Sequence, residues 1–239
     1  MANWFSRRSR RIEVPKLGSR GEELVTTKLE LDEFTPDLLS YLGRAAYVQL
    51  TLFENLSRAI STAPSTADKA ALGPAAEHSI ARHRALADEI VRAGSTVAEA
   101  MEPFTRPVDA FERSTRGGDW FETVMTCYLS AGFLDDFFER LASGLPADAA
   151  KRIQAIYADR RADEALLTAE LQSAIDDNPR LASRLAMWGR RMLGDTMLVA
   201  RSALQFTDNH KSDEARVEPV FTELVAAHTR RMDALGLTA

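Results

Sequence analysis

The sequence predicts an all-α protein, a four-helix bundle with further helices packed outside it. Three observations predict it. From Thr35 onward, apolar residues recur at alternating steps of three and four with almost no interruption. Residues that start and stop helices punctuate this pattern at intervals of roughly 25 positions. The connections are short turns apart from one longer crossover, as expected for antiparallel neighbours in a bundle.

Each element follows from these signals. Thr35-Pro36-Asp37 reads as an N-cap, a first-turn proline and a first-turn acid, opening a helix over 36–62. Ser65 or Thr66 opens a second helix that ends near Gly94. A shorter segment over 97–113 is interrupted by Pro103 and Pro107 and forms the crossover. Gly117-Gly118-Asp119 opens a third long helix, reaching Ser143-Gly144. Pro146-Ala147-Asp148 starts a fourth, which Asp176-Asp177-Asn178-Pro179 separates from a fifth that runs to Phe206. After the polar stretch DNHKSDEAR, a last helix spans 217–235, with Gly236 just past its end. No fixed-period repeat and no long linker divides the chain, so 35–239 reads as one bundle domain.

Residues 1–34 differ. The first 20 carry Arg7, Arg8, Arg10, Arg11, Lys16 and Arg20 against Glu13 alone. They read as a solvated, flexible basic arm, or as an arm that touches phosphate with Trp4 and Phe5 beside it. The stretch EELVTTKLELDEF alternates weakly but is too short and isolated to build a sheet. With 45% hydrophobic and 27% charged residues, the composition is that of an ordinary globular chain. A net charge of −5 argues against coating nucleic acid by overall charge, though a local basic patch stays open. Cys127 is the single cysteine, which excludes an intrachain disulfide and a cysteine-only metal cluster, and its apolar neighbours suggest a buried structural thiol. No run reaches the ~18 apolar residues of a membrane span, and no apolar signal core follows the N-terminal arginines. A cytoplasmic protein is expected.

Tracing the inward stripes locates the polar positions of the core. The first helix gives Leu38, Leu42, Ala45, Gln49, Leu52 and Leu56; the second gives Ala76, Ile80, His83, Ala87 and Ile90. The third gives Trp120, Val124, Cys127, Ala131, Leu134, Phe138 and Leu141, and the fourth Ala155, Asp159, Ala162, Leu166 and Ala169. Gln49, His83 and Asp159 are thus the polar inward candidates, each near the middle of its helix.

The segments YLGRAAYVQLTLFENL, AAEHSIARHRALADEI, DWFETVMTCYLSAGFLDDFFERL and SRLAMWGRRMLGDTMLVARSAL resemble the ferritin-like family of methylthio-isopentenyl-adenosine tRNA hydroxylases, in its actinobacterial branch. The resemblance spans about 38–237, and RLAMWGRRMLG is its most distinctive part. It implies a di-iron carboxylate bundle that activates dioxygen to hydroxylate a modified tRNA base. Carried over residue by residue, the first-helix glutamate falls on Gln49. The second-helix Glu-x-x-His falls on Ile80 and His83, the third-helix acid on Ala131, and the second Glu-x-x-His on Asp159 and Ala162. A ligand type survives only at His83 and Asp159. The six positions therefore read as vestigial, with no metal cofactor expected; a mononuclear site from Gln49, His83 and Asp159, or a rebuilt iron site, is the alternative. The ordinary reading of His83 is a histidine bonded to Gln49 or to a backbone carbonyl.

Glu54 reads as a rim residue paired with Arg58, and His78, His210 and His228 as surface residues. Asp135 and Asp136 read as partners of fourth-helix arginines or of solvent. Arg160, Arg161, Arg184, Arg190 and Arg191 are candidates for an RNA-binding surface, although such faces are more often solvated and salt-bridged. Trp188 reads as core. The leading functional expectation is a degenerate bundle that acts by binding, to a protein partner or as a homo-oligomer, with RNA possible. The competing expectation is a non-haem iron tRNA hydroxylase, and a third is an assembly subunit.

Overall fold

The computed structural model describes residues 31–158, 160–207 and 210–238, with the side chains of 160–163, 210 and 211 outside the description. The arm's arginines and Asp159 lie outside the described residues. Eight α-helices and two short 3-10 turns make up the described residues, which contain no strand.

Helix α1 spans Leu38–Thr62. Its cap is Asp37, whose carboxylate accepts the Ser40 N–H at 3.0 Å, and not Thr35. The Thr35 hydroxyl faces the carbonyls of Leu31 and Leu141. Helix α2, Thr66–Arg92, starts on a reciprocal capping box between Ser65 and Asp68, as its Ser-x-x-Asp spacing predicts. Helix α3, Val97–Ser114, runs unbroken through Pro103 and Pro107. Both prolines are exposed, so the carbonyls they leave unbonded face water and the helix survives.

Helix α4, Trp120–Leu141, is capped by Asp119 and ends in the 3-10 turn Ala142–Gly144. The predicted fourth helix is two, α5 at Ala147–Tyr157 and α6 at Arg160–Asp177. Helix α7 is Arg180–Arg201. Helix α8, His210–Ala234, begins before the predicted start near Val217 and includes Pro219. Gly236 takes the left-handed conformation, φ 65, just past its end.

Helices α1, α2, α6 and α4 close a ring in which each touches two neighbours, which is the four-helix bundle. The crossover α3 lies on α1, and α7 and α8 pack on the outer side of α4. Helix α4 is consequently enclosed: fourteen of its residues, from Val124 to Leu141, are buried. The segment before α1 closes one end, with Leu31 and Phe34 buried and the Phe34 carbonyl accepting the Gln205 N–H at 2.9 Å.

The core has two apolar halves. One gathers Tyr41, Leu42, Phe133, Phe137, Phe138, Tyr157 and Phe221; the other gathers Leu52, Leu56, Leu72, Val124, Tyr128, Leu171 and Leu185. On α1 the changeover falls at Gln49, and on α2 it falls at Ser79 and Arg82. No described helix is long and apolar enough to cross a membrane.

Two glycines of α4 and α7 should respond oppositely to a methyl group. A Cβ on Gly132 would sit 2.2 Å from Nε of Arg231, a guanidinium held by Glu164 at 2.7 Å and Asp136 at 2.7 Å and so unable to yield freely. Gly194 has nothing within 4 Å of the added atom. In denaturant unfolding, Gly132→Ala should lose ~1–3 kcal/mol to overpacking, while Gly194→Ala should gain ~0.5–1 kcal/mol from reduced chain entropy. Equal effects would contradict these environments.

His228 supplies a pH prediction. Its ring is 2% exposed, and burial is the main cause holding its pKa down to about 4. Between pH ~6.5 and ~4 the unfolded chain takes up a proton that the folded chain refuses, so stability falls as pH drops through that window, by on the order of 3 kcal/mol. Unfolding of the wild type and of His228→Gln across pH 4–7 checks this, and the variant should lose that part of the slope.

Candidate functional site

Gln49 follows Ala45 and precedes Leu52 on the buried stripe of α1, so helix geometry carries its amide into the bundle. On α2 the stripe runs Leu72, Ala75, Ala76, Ser79, Arg82 and Leu86, which takes Arg82 inward. On α4 Asp135 stands one turn beyond Ala131, amid Phe133, Leu134, Phe137 and Phe138. Three helices therefore each deliver one polar side chain to the midpoint of the core.

There Gln49 Nε2 donates to Asp135 Oδ1 at 2.7 Å, and Arg82 Nη1 stands 3.4 Å from Asp135 Oδ2. The Arg82 and Asp135 side chains are only 7% and 3% exposed. Tyr157 of α5 completes the group. Its hydroxyl and Gln49 Oε1 are buried without a hydrogen-bond partner among the described residues. Burial and then the Asp135 charge push the Tyr157 pKa well above its ordinary value, so the phenol stays a neutral donor beside the amide.

The network leaves little room. A cavity of about 30 Å³ borders Gln49, Ser130, Ala131 and Asp135, and one of about 20 Å³ borders Ser79, Arg82, Ala131, Gly132 and Glu164. Each suits one or two waters and no organic substrate. Cys127 offers no nucleophile, because burial pushes its thiol up to about 12. A second buried cation, Arg231 of α8, ties Glu164 of α6 to Asp136 of α4, and these residues line an open groove of about 730 Å³ between α6 and α8.

The sequence-predicted positions are only partly brought together. Gln49 is 1% exposed and central. Ile80 and His83 are half-buried, and His83 turns toward α1, where Nδ1–H donates to the Ala46 carbonyl at 2.9 Å. The inward position of α2 is thus Arg82, one residue before the predicted His83. Helix α2 carries alanines on every side, which hides the stripe, and contacts with both α1 and α6 rotate it. Ala131 borders both small cavities. On the predicted fourth helix the buried residues among those described are Ala149, Ala150, Ile153, Tyr157, Leu167, Leu171 and Ile175, while Ala155 and Ala169 are exposed. Asp159 and the Ala162 side chain lie outside the described residues.

Other readings change with the structure. His228 is core, with Nε2 3.2 Å from the Gly189 carbonyl, and is no surface residue. Arg58 pairs with Glu112 at 3.1 Å rather than with Glu54. Arg184 pairs with Asp119, Arg190 donates to the Thr238 carbonyl, and Arg191 donates to the Ser114 carbonyl and lies over Trp188. Arg160 and Arg161 begin α6, and their side chains are outside the description. The resemblance to di-iron hydroxylases requires a carboxylate-rich centre. Among the described residues no three His, Cys, Asp or Glu side chains gather as a metal site, and a guanidinium adjoins the one central carboxylate. A divalent ion beside Asp135 would meet the charge of Arg82.

No curated protein matches the chain. A family profile described as a ferritin-like domain of actinomycetes matches residues 30–209, from the segment preceding α1 to the residue before α8. With that match over most of its length, the chain belongs to this family of ferritin-like domains.

Proposed function

We propose that this protein is a degenerate relative of the ferritin-like tRNA hydroxylases, one that uses the bundle as a binding scaffold and carries out no di-iron chemistry. The observation that carries the reading is the buried Arg82–Asp135 pair, joined by Gln49, at the middle of the bundle. A permanent cation there compensates the central carboxylate of the described residues, as a metal would, but presents no open coordination position. Ile80 and Ala131, where the resemblance calls for carboxylates, supply packing and a small void. The two small cavities exclude a substrate the size of a nucleoside. Recognition on this reading belongs to the outer helices, with a protein partner as the principal ligand class and RNA second.

Metal analysis tests the proposal. Protein purified without chelator and challenged with ferrous iron under anaerobic conditions should hold well under one metal per chain. Its unfolding transition should be the same with iron and with chelator. Two irons per chain, with a visible band on oxygenation, would restore the hydroxylase reading.

A further inference from the structure

Helix α7 presents an outward face that no other described helix covers, with the C-terminal residues Gly236, Leu237 and Thr238 beside its Ser183, Met187 and Arg190. Its exposed residues are Arg180, Ser183, Met187, Arg190, Arg191, Gly194 and Leu198, which fall within an arc of ~100° at 3.6 residues per turn. Met187 and Leu198 are 62% and 68% exposed, two of the three large apolar side chains left in water among the described residues. They stand ~16 Å apart along the axis, with Gly194 between them. Gly194 is a mid-helix glycine with open space at its Cβ, so a neighbouring backbone can approach there closely. No carboxylate belongs to the exposed set. Arg190 and Arg191 each donate to a backbone carbonyl, and Arg191 also lies over the Trp188 ring, but neither pairs with a carboxylate among the described residues. Arg184 and Arg201, by contrast, are neutralised by Asp119 and Glu218.

We infer that this face docks an acidic amphipathic helix of a partner protein, with apolar side chains on Met187 and Leu198 and carboxylates on Arg180, Arg190 and Arg191. Charge decides among occupants. A second copy pairing through this same face would bring like arginines together. A phosphate backbone would match the charge but bury neither Met187 nor Leu198. A bilayer surface is poorly served by two aliphatic residues with no exposed aromatic among them. A helix with its own apolar stripe matches both features and fits over Gly194. The inference rests on the reading of the protein as a binding scaffold.

The test is an amide chemical-shift titration of the full chain with a synthetic glutamate-rich helical peptide carrying two leucines at the Met187–Leu198 spacing. Saturable shifts centred on Arg190, Arg191 and Gly194 are expected. Binding should weaken at least tenfold with Met187→Glu/Leu198→Glu, with Gly194→Leu, or when the peptide's glutamates become lysines. These substitutions are at exposed positions, and an unchanged circular dichroism spectrum confirms the fold. No shift along α7 would overturn the inference. Stronger perturbation of the same amides by unmodified tRNA or phosphatidylglycerol vesicles, or by raising the concentration of the chain alone, would also overturn it. A chain that loads two irons yet docks the peptide fails only the scaffold reading, and a metal-free chain that ignores it fails only this inference.

Discussion

The buried ion pair between Arg82 and Asp135, held in place by Gln49, is the interaction on which the arrangement of the bundle depends. It joins α1, α2 and α4 where their two apolar clusters meet. Two charges taken out of water are tolerated only if they find one another with good geometry. The requirement therefore fixes the rotation and register of the three helices relative to one another, which apolar packing alone specifies less sharply.

The same logic is repeated one layer out. Arg231 of α8 reaches past Gly132 to carboxylates on α4 and α6, and only a residue without a side chain leaves that path open. Each buried cation thus belongs to a joint between helices. The inner joint sets the bundle, and the outer one seats α8 on it. An arginine at the inner joint alters the chemistry of the fold, because its charge is covalently attached and its donors are directed at protein acceptors. The bundle keeps its architecture, and on the proposed reading recognition belongs to outer surfaces such as the arginine-lined face of α7.

Much of the fold is legible in the sequence because the signals are local. The leucines of α1 mark its buried side, and Ser65 and Asp119 mark helix starts that the structure realises as caps. The division of the fourth helix near Tyr157 is hidden, since no glycine or proline stands there. The early start of α8 is hidden too, because Lys211, Glu214, Ala215 and Arg216 are polar or small residues that favour helix. The site was half legible. Gln49 stands out as the one polar member of its stripe, but alanines around α2 make His83 look inward where Arg82 is. A signal for the missing partner existed: an aspartate inside the run Phe133-Leu134-Asp135-Asp136-Phe137-Phe138 must find a buried donor.

The most direct measurement is a double-mutant cycle on Arg82→Met and Asp135→Leu, read by urea unfolding of the full chain. Each single change removes one partner from a buried charge pair and should lose ~3–5 kcal/mol. The double variant, with neither charge left, should be more stable than the sum of the singles by at least ~2 kcal/mol. Additive losses would mean that the two side chains do not depend on one another and would remove the ion pair from the centre of this account.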